Sequence, residues 1–185
     1  RKFSMRFKGE IYEFSFPSLF GDHQIDNAST AISTVLSIND FNITKESINT
    51  GLLRTNWPAR MQKLNGRLSK IAGKNFEIWL DGGHNLGAAE MLSKVVNSWK
   101  DKKIILIIGM INGKDPIKFL DKLINYVTLL IILPINDHQC LMPYEIKSLV
   151  LENFKPNFDI ESCLNIEEAI IITKKKFSEG KILIC

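Results

Sequence analysis

A doubly wound α/β fold with a mostly parallel sheet, preceded by a piece of a second domain, is the fold class this sequence predicts. Three observations predict it. From Met61 onward, short apolar runs alternate with segments of helical periodicity. Runs such as 104–108, 127–133 and 181–184 are nearly continuous in Ile, Leu and Val, as strands buried on both faces read, rather than alternating with polar residues. Before Met61 the pattern differs: an alternating hairpin and two amphipathic helices lead into an aperiodic stretch at 54–60.

Taken in order, Phe3, Met5 and Phe7 and then Tyr12, Phe14 and Phe16 alternate with polar residues around Lys8-Gly9, predicting a β-hairpin over 1–16. Ile25, Ala28, Ala31, Ile32, Val35 and Leu36 recur at helical spacing, which puts Gln24, Asn27 and Thr34 on other faces. Thr44 is a good N-cap for a second helix reaching about Leu53. The periodicity then breaks, so a division is expected between a first domain at 1–55 and a second at 56–185. In the second, strands are expected at 61–71 and 76–80 on either side of a turn. A helix over 87–99 follows, burying Ala88, Met91, Leu92, Val95, Val96 and Trp99. Next come strand 104–108, a helix capped by Asp115 with Pro116 at its first position, strand 127–133, a helix from Pro143, a short strand at 158–160, a helix capped by Asn165, and strand 181–184.

The composition is that of ordinary globular material: 185 residues, 45% hydrophobic and 24% charged. No apolar run approaches the roughly 20 residues that cross a bilayer, and no signal-peptide pattern is seen. Three scattered cysteines, Cys140, Cys163 and Cys185, lack metal-ligand spacing and suit a reducing compartment, so a cytoplasmic location is expected. A formal charge of +4 gives no case for nucleic acid. The run Lys174-Lys175-Lys176 falls late in a helix, where cations complement the dipole. Because the chain opens inside a strand-like pattern and stops straight after another, it is expected to be a fragment.

The most informative stretch is Ile78-Trp79-Leu80-Asp81-Gly82-Gly83-His84-Asn85. An apolar strand delivers polar residues to its carboxyl end, where ligands of open α/β sheets bind. Two glycines let a ligand approach the main chain, and the next helix offers free N–H groups and a positive dipole end. Asp81 can accept hydrogen bonds from hydroxyls such as those of a ribose. The same pattern also fits a tight turn whose Asp and Asn only cap the helix. The loop Gly109-Met110-Ile111-Asn112-Gly113-Lys114-Asp115 sits where a phosphate-binding P-loop would, but its glycine spacing is one residue short and an aspartate follows the lysine. Its default reading is a sheet-end loop with a helix cap. His23, His84 and His138 are far apart with no zinc-ligand spacing, so no metal site is expected from this chain. Arg60, after Trp57-Pro58, is a candidate anion contact because its guanidinium suits phosphate.

Four stretches together resemble one family: His23-Gln24 with Asn27-Ala28-Ser29-Thr30-Ala31, then Trp57-Pro58-Ala59-Arg60, then Asp81-Gly82-Gly83-His84-Asn85, then Gly109-Met110 with Lys114-Asp115. In order and spacing they are similar to the carboxyl-terminal part of folylpolyglutamate synthase / dihydrofolate synthase, in the Mur ligase superfamily. The resemblance implies a Rossmann-like Mur-ligase carboxyl-terminal domain at 56–185, and the end of a central ATP-binding domain at 1–55. It further implies an ATP- and Mg2+-dependent amide ligase, in which ATP phosphorylates a folate or dihydropteroate carboxylate and the amino group of L-glutamate attacks the acyl phosphate. Carried over by position, Asn27 would contact the nucleotide, Arg60 its phosphates and Asp81 its ribose, with His84 near the incoming glutamate or the reacting carboxyl. The Mg2+ ligands and the P-loop are expected outside these residues, and turnover by the fragment is not expected. The implied partners are small molecules, with neither nucleic acid nor membrane, and the implied state is a monomer. Three departures stand out. Ala59 stands where the family has glycine, Gly83 is the middle residue of a DGAHNP-like motif, and Leu86 replaces the proline after Asn85. Another Mur-type amino-acid ligase, or a non-catalytic Rossmann-like binding module, are the competing readings.

Overall fold

The alternating residues at the start pair as expected. In the computed structural model, which describes residues 1–38, 40–136 and 139–185, β1 (Lys2–Phe7) and β2 (Glu10–Ser15) are antiparallel, with Phe3 opposite Phe14 and Met5 opposite Tyr12. Lys8 and Gly9 both take positive φ (48° and 88°), as the tight hairpin turn between twisted strands requires. Two helices follow, α1 (His23–Ser37) and α2 (Lys45–Arg54). Phe3, Phe14, Ala28 and Ile32 make a small core, against which Tyr12, Ile25, Ile48 and Leu52 pack. Thr44 caps α2 by accepting the Ser47 N–H at 3.1 Å, and Asn49 Oδ1 accepts the Ser15 N–H at 2.6 Å, tying α2 to the hairpin. These elements belong to a first compact unit, Arg1–Met61, and the rest to a second, Gln62–Cys185. The division falls later than the expected 55/56 because the second unit begins where Gln62 enters its sheet, opposite Leu80.

One expected element is wrong. Residues 61–71 are not a strand: only β3 (Gln62–Lys63) pairs, and α3 (Arg67–Ala72) follows. Leu64, Leu68 and Ile71 stand at helical spacing and pack on the core as one stripe, and Asn65-Gly66 breaks the extended chain before it.

The second unit alternates as its pattern indicates. It runs β4 (Phe76–Leu80), α4 (Leu86–Asn97), β5 (Ile104–Ile108), α5 (Pro116–Leu120), a 3₁₀ turn at Ile124–Tyr126, β6 (Leu129–Ile132), α6 (Pro143–Phe154), β7 (Asp159–Ser162), α7 (Ile166–Lys176) and β8 (Gly180–Ile184). The six-stranded sheet has the order β3-β4-β8-β5-β6-β7, antiparallel at the β3 edge and parallel elsewhere. The last strand thus lies between β4 and β5. Successive side chains on these strands point to opposite faces. Ile78, Ile105, Ile107, Leu129, Ile131 and Ile182 share a cluster with Ala72 of α3 and with Ala169 and Ile170 of α7. Helices α4, α5 and α6 pack in succession, α6 against β6 and β7. The intervening residues Ile104, Leu106, Ile108, Leu130 and Ile132, all buried, turn the other way from the cluster.

Caps and charges fall where the residue types favour them. Asp115 accepts the N–H groups of Ile117 and Lys118, each at 3.0 Å, and Asn165 accepts that of Glu168 at 2.9 Å. The lysine run closes α7 as expected. There it does more than meet solvent, since Lys176 reaches Asp159 at 2.7 Å and Glu161 at 3.0 Å, while Lys174 donates to Ile71 O. No helix among the described residues is long and apolar enough to cross a membrane.

Beside β4, Lys181 Nζ lies 3.2 Å from Glu77 Oε2 and 4.7 Å from the centroid of the Trp99 ring, and Lys63 reaches the same carboxylate at 3.4 Å. Burial pushes the Glu77 carboxyl up. Lys181, helped by hydrogen bonds from Trp79 and Lys63, outweighs it and leaves the carboxyl below its usual range. A carboxyl depressed by folding stabilises above its unfolded pKa, and that contribution fades as pH falls through the folded value. Glu77→Gln is therefore expected to lower the melting temperature at neutral pH. The gap from the parent should close as pH drops below the ordinary carboxylate range, as thermal unfolding across pH 3 to 7, about the span in which carboxylates titrate, would record.

Candidate functional site

The site is built at the carboxyl end of β4. The apolar strand ends at Leu80, and the next residue, Asp81, is 8% exposed, a buried carboxylate beside an otherwise apolar sheet. Burying a charge is costly unless hydrogen bonds compensate. Asp81 Oδ1 accepts the Gly83 N–H at 2.8 Å, and the Asp81 N–H is itself donated to Ile184 O of β8 at 2.9 Å. The main chain turns at Gly82-Gly83 and enters α4, capped by Asn85, whose Oδ1 accepts the Ala88 N–H at 3.0 Å. The plain capping role that the sequence left open thus holds for Asn85. Asp81 is engaged differently, in the turn and not on the helix.

Gly83 is required by contact. A Cβ there would lie 2.8 Å from Ala88 Cβ and 2.9 Å from Asp81 Oδ1, so only glycine lets the first turn of α4 approach the strand tip this closely. Ala88 and Met91, expected on the buried face of this helix, are only half-buried, and Ala89, not expected there, is the fully buried alanine.

His84 is exposed, and its Nδ1 lies 3.0 Å from Gly82 O. A carbonyl only accepts, so Nδ1 carries the hydrogen and Nε2 is the ring atom left for a ligand. Cys185 follows β8 in the same row of strand ends, its N–H donated to Ile107 O and its carbonyl accepting the Gly109 N–H. Burial pushes the Cys185 thiol well above its usual range, and the Asp81 carboxylate adds to the effect. The carboxyl ends of β4, β8 and β5 therefore form one row, with Asp81 as its anionic member. The 109–115 loop is a sheet-end loop whose Asp115 caps α5, in keeping with its default reading. Lys114 in that loop is half-buried.

Two expected contacts lie in the first unit. Asn27 is exposed on α1, and Arg60 is exposed in the segment after α2, its Nη1 donating to Ala59 O at 3.4 Å. The structure thus brings Asp81, Gly83, His84 and Asn85 together on one turn, and carries Asn27 and Arg60 on the other unit. Gln24 was expected off the buried stripe of its helix, yet it is 4% exposed and bonded to both His23 and Asn27. Apolar periodicity cannot detect a buried amide. The available signal was the i, i+3 spacing of Gln24 and Asn27, at which side-chain amides meet on a helix. His138 lies outside the described residues, among which no group of three or more His, Cys, Asp or Glu side chains gathers into a metal site.

The parallel, doubly wound sheet with an Asp-Gly-Gly-His-Asn turn at a strand tip has the fold of a Mur-ligase carboxyl-terminal domain. Residues 62–137 match the family model for the dihydrofolate synthetase carboxyl-terminal domain. The chain is 26% identical over 143 residues to the dihydrofolate synthetase of Saccharomyces cerevisiae, a match covering 72% of this chain and 34% of the yeast protein. A folylpolyglutamate synthase of Mycobacterium tuberculosis, solved with ADP, superposes with a TM-score of 0.78 at 16% identity, over 98% of this chain and 41% of that one. A bifunctional folylpolyglutamate synthase/dihydrofolate synthase solved with Mn, AMPPNP and L-glutamate gives 0.70 at 19% identity, over 94% and 38%. The chain is thus similar to the carboxyl-terminal portion of folylpolyglutamate synthase / dihydrofolate synthase, and the relatives so named are ligases. It spans about a third of the length of the yeast relative.

Two substitutions in these turns should act with opposite sign. Gly83→Ala forces a methyl into a filled space and is expected to cost about 1–3 kcal/mol. Ala59 holds φ +55°, a left-handed conformation that costs an L-residue roughly 1–2 kcal/mol. Ala59→Gly relieves that strain against a smaller loss from the freer unfolded chain, for a net gain of up to about 1 kcal/mol. Denaturant unfolding of both variants measures the two signs.

Proposed function

We propose that this chain is part of an ATP-dependent amide ligase that joins L-glutamate to the carboxylate of a folate or dihydropteroate through an acyl phosphate. In this reading residues 1–55 end the central ATP-binding domain, and 56–185 make up most of the carboxyl-terminal domain. The observation that carries the reading is the buried Asp81 carboxylate at a parallel strand tip beside the start of α4. An acceptor fixed there suits a ribose hydroxyl. One oxygen takes the Gly83 amide, and a carboxylate has about four acceptor positions in all with which to meet hydroxyls.

The chemistry has two steps. A substrate carboxylate oxygen takes the γ-phosphoryl of ATP, releasing ADP. The glutamate amine then attacks the acyl carbon, phosphate departs, and the amine loses its proton as the amide forms. Charge on the moving phosphoryl oxygens is stabilised by positioned cations and N–H groups. Arg60 supplies a guanidinium fork for phosphate oxygens, and Asn27 supplies an amide for the nucleotide. His84 presents Nε2 toward the glutamate or the reacting carboxyl, as donor when protonated and as acceptor when neutral. The divalent ion that such chemistry uses, Mg2+ in this reading, offsets phosphate charge. No ligand for it is assigned among these residues. The substrates are small molecules, and the working location is the cytoplasm.

The test is glutamate incorporation by the full-length protein, offered dihydropteroate and tetrahydrofolate separately. Asp81→Ala and Arg60→Ala are each expected to lower kcat/KM for ATP by about ten- to a hundredfold, the range for a lost hydrogen bond involving a charged group. Unchanged nucleotide affinity in both variants would remove the assigned roles, and absence of glutamate addition with either pterin would remove the activity.

A further inference from the structure

The first residue of α4 is an aliphatic side chain left in the open. Leu86 is 43% exposed, and its chain neighbours do not cover it, since Asn85 is engaged in its cap and Gly87 has no side chain. Asn85 is extended, at φ −139° and ψ 170°. Across an extended residue the two flanking side chains project to one side and its own to the other. His84 and Leu86 therefore share a side of the turn, while Asn85 Oδ1 faces the Ala88 N–H. A helical side chain also leans toward the amino terminus of its helix, which carries Leu86 out over the turn. One helical turn further on, the exposed Glu90 stands at the i+4 position of the same face and leans the same way. Beside the exposed His84 imidazole the rim of the site is thus aliphatic, then acidic.

The two kinds of acceptor open to the proposed ligase differ in what carries the reacting carboxyl. In a dihydropteroate the carboxyl is bonded directly to a benzene ring. In a folate it ends a flexible glutamyl side chain, whose α-carboxylate is a second negative charge close by. An aliphatic side chain gains by covering a ring, whereas pressing it on a carboxylate strips water from a charge and returns no hydrogen bond. Glu90 repels that second carboxylate, by an amount that salt screens at an exposed position.

We propose that Leu86 is a specificity-determining residue: it packs on the ring of an arylcarboxylate acceptor and, with Glu90 behind it, disfavours a glutamyl γ-carboxylate, so that the protein adds a first glutamate in preference to later ones. The proposal rests on the reading of His84 as a neighbour of the reacting carboxyl.

The experiment measures kcat/KM of the full-length protein for dihydropteroate and for tetrahydrofolate, at saturating ATP and L-glutamate, in the parent, Leu86→Ala, Leu86→Met and Glu90→Lys. Should tetrahydrofolate turn over too slowly to time, its inhibition constant against dihydropteroate takes its place in the ratio. The parent should prefer dihydropteroate. Leu86→Ala should shrink that preference about tenfold, the scale of a lost apolar contact with substrate. Leu86→Met keeps an apolar side chain of similar volume and should hold the ratio within about twofold. Glu90→Lys should shrink it about threefold at low ionic strength, with the difference fading in high salt. Loss of folding lowers both values together and leaves the ratio unmoved, so the ratio separates selectivity from stability. A parent without the preference, an unmoved ratio in Leu86→Ala or in Glu90→Lys, or a shift in Leu86→Met as large as in Leu86→Ala would each overturn the proposal and leave glutamate ligation standing. Absence of glutamate addition to both acceptors would remove the ligase reading itself, and the proposal with it.

Discussion

One short polar contact, Asp81 Oδ1 accepting the Gly83 N–H, sets the geometry of the strand tip. A carboxylate almost wholly withdrawn from water must be hydrogen-bonded, and the amide two residues on is the donor the chain brings within reach. That bond closes the turn, the turn aims the start of α4 at the same space, and Asn85 takes the cap. The arrangement exists only because position 83 has no Cβ: Ala88 and Leu92 of α4 stand where one would go. Where the family's motif has alanine, this chain has glycine, and the close seat of its helix is the reason in this structure.

The parallel core was legible because burial on both faces leaves a direct trace. Runs such as Ile104–Ile108 have no polar alternation to confuse with an exposed sheet, and each residue of that run is buried. The caps were legible too, since Thr44, Asp115 and Asn165 are short acceptors set just before apolar-periodic segments. The stretch from 61 to 71 was misread because a two-residue edge strand is too short to show a period, and its apolar residues served a helix instead. At the site, the turn at 81–85 could be read from residue types alone. The burial of Gln24 could not, because an amide inside a helix face has the same hydropathy as one outside it.

The same limit explains Ala59. The sequence shows that alanine stands in place of the family's glycine. Only the backbone shows that the position is left-handed, so that the departure carries a conformational cost beside the Arg60 guanidinium.

Strand β8 is last in the chain and yet lies between β4 and β5. During synthesis from the amino terminus, the two strands it separates emerge well before it and present unpaired inner edges until it arrives. Asp81 is in the same position, because its N–H finds Ile184 O only when the final strand is seated. The ribosome therefore delivers the acidic strand tip early but its support late, and the turn after β4 is held from the β8 side only once that later strand has been made.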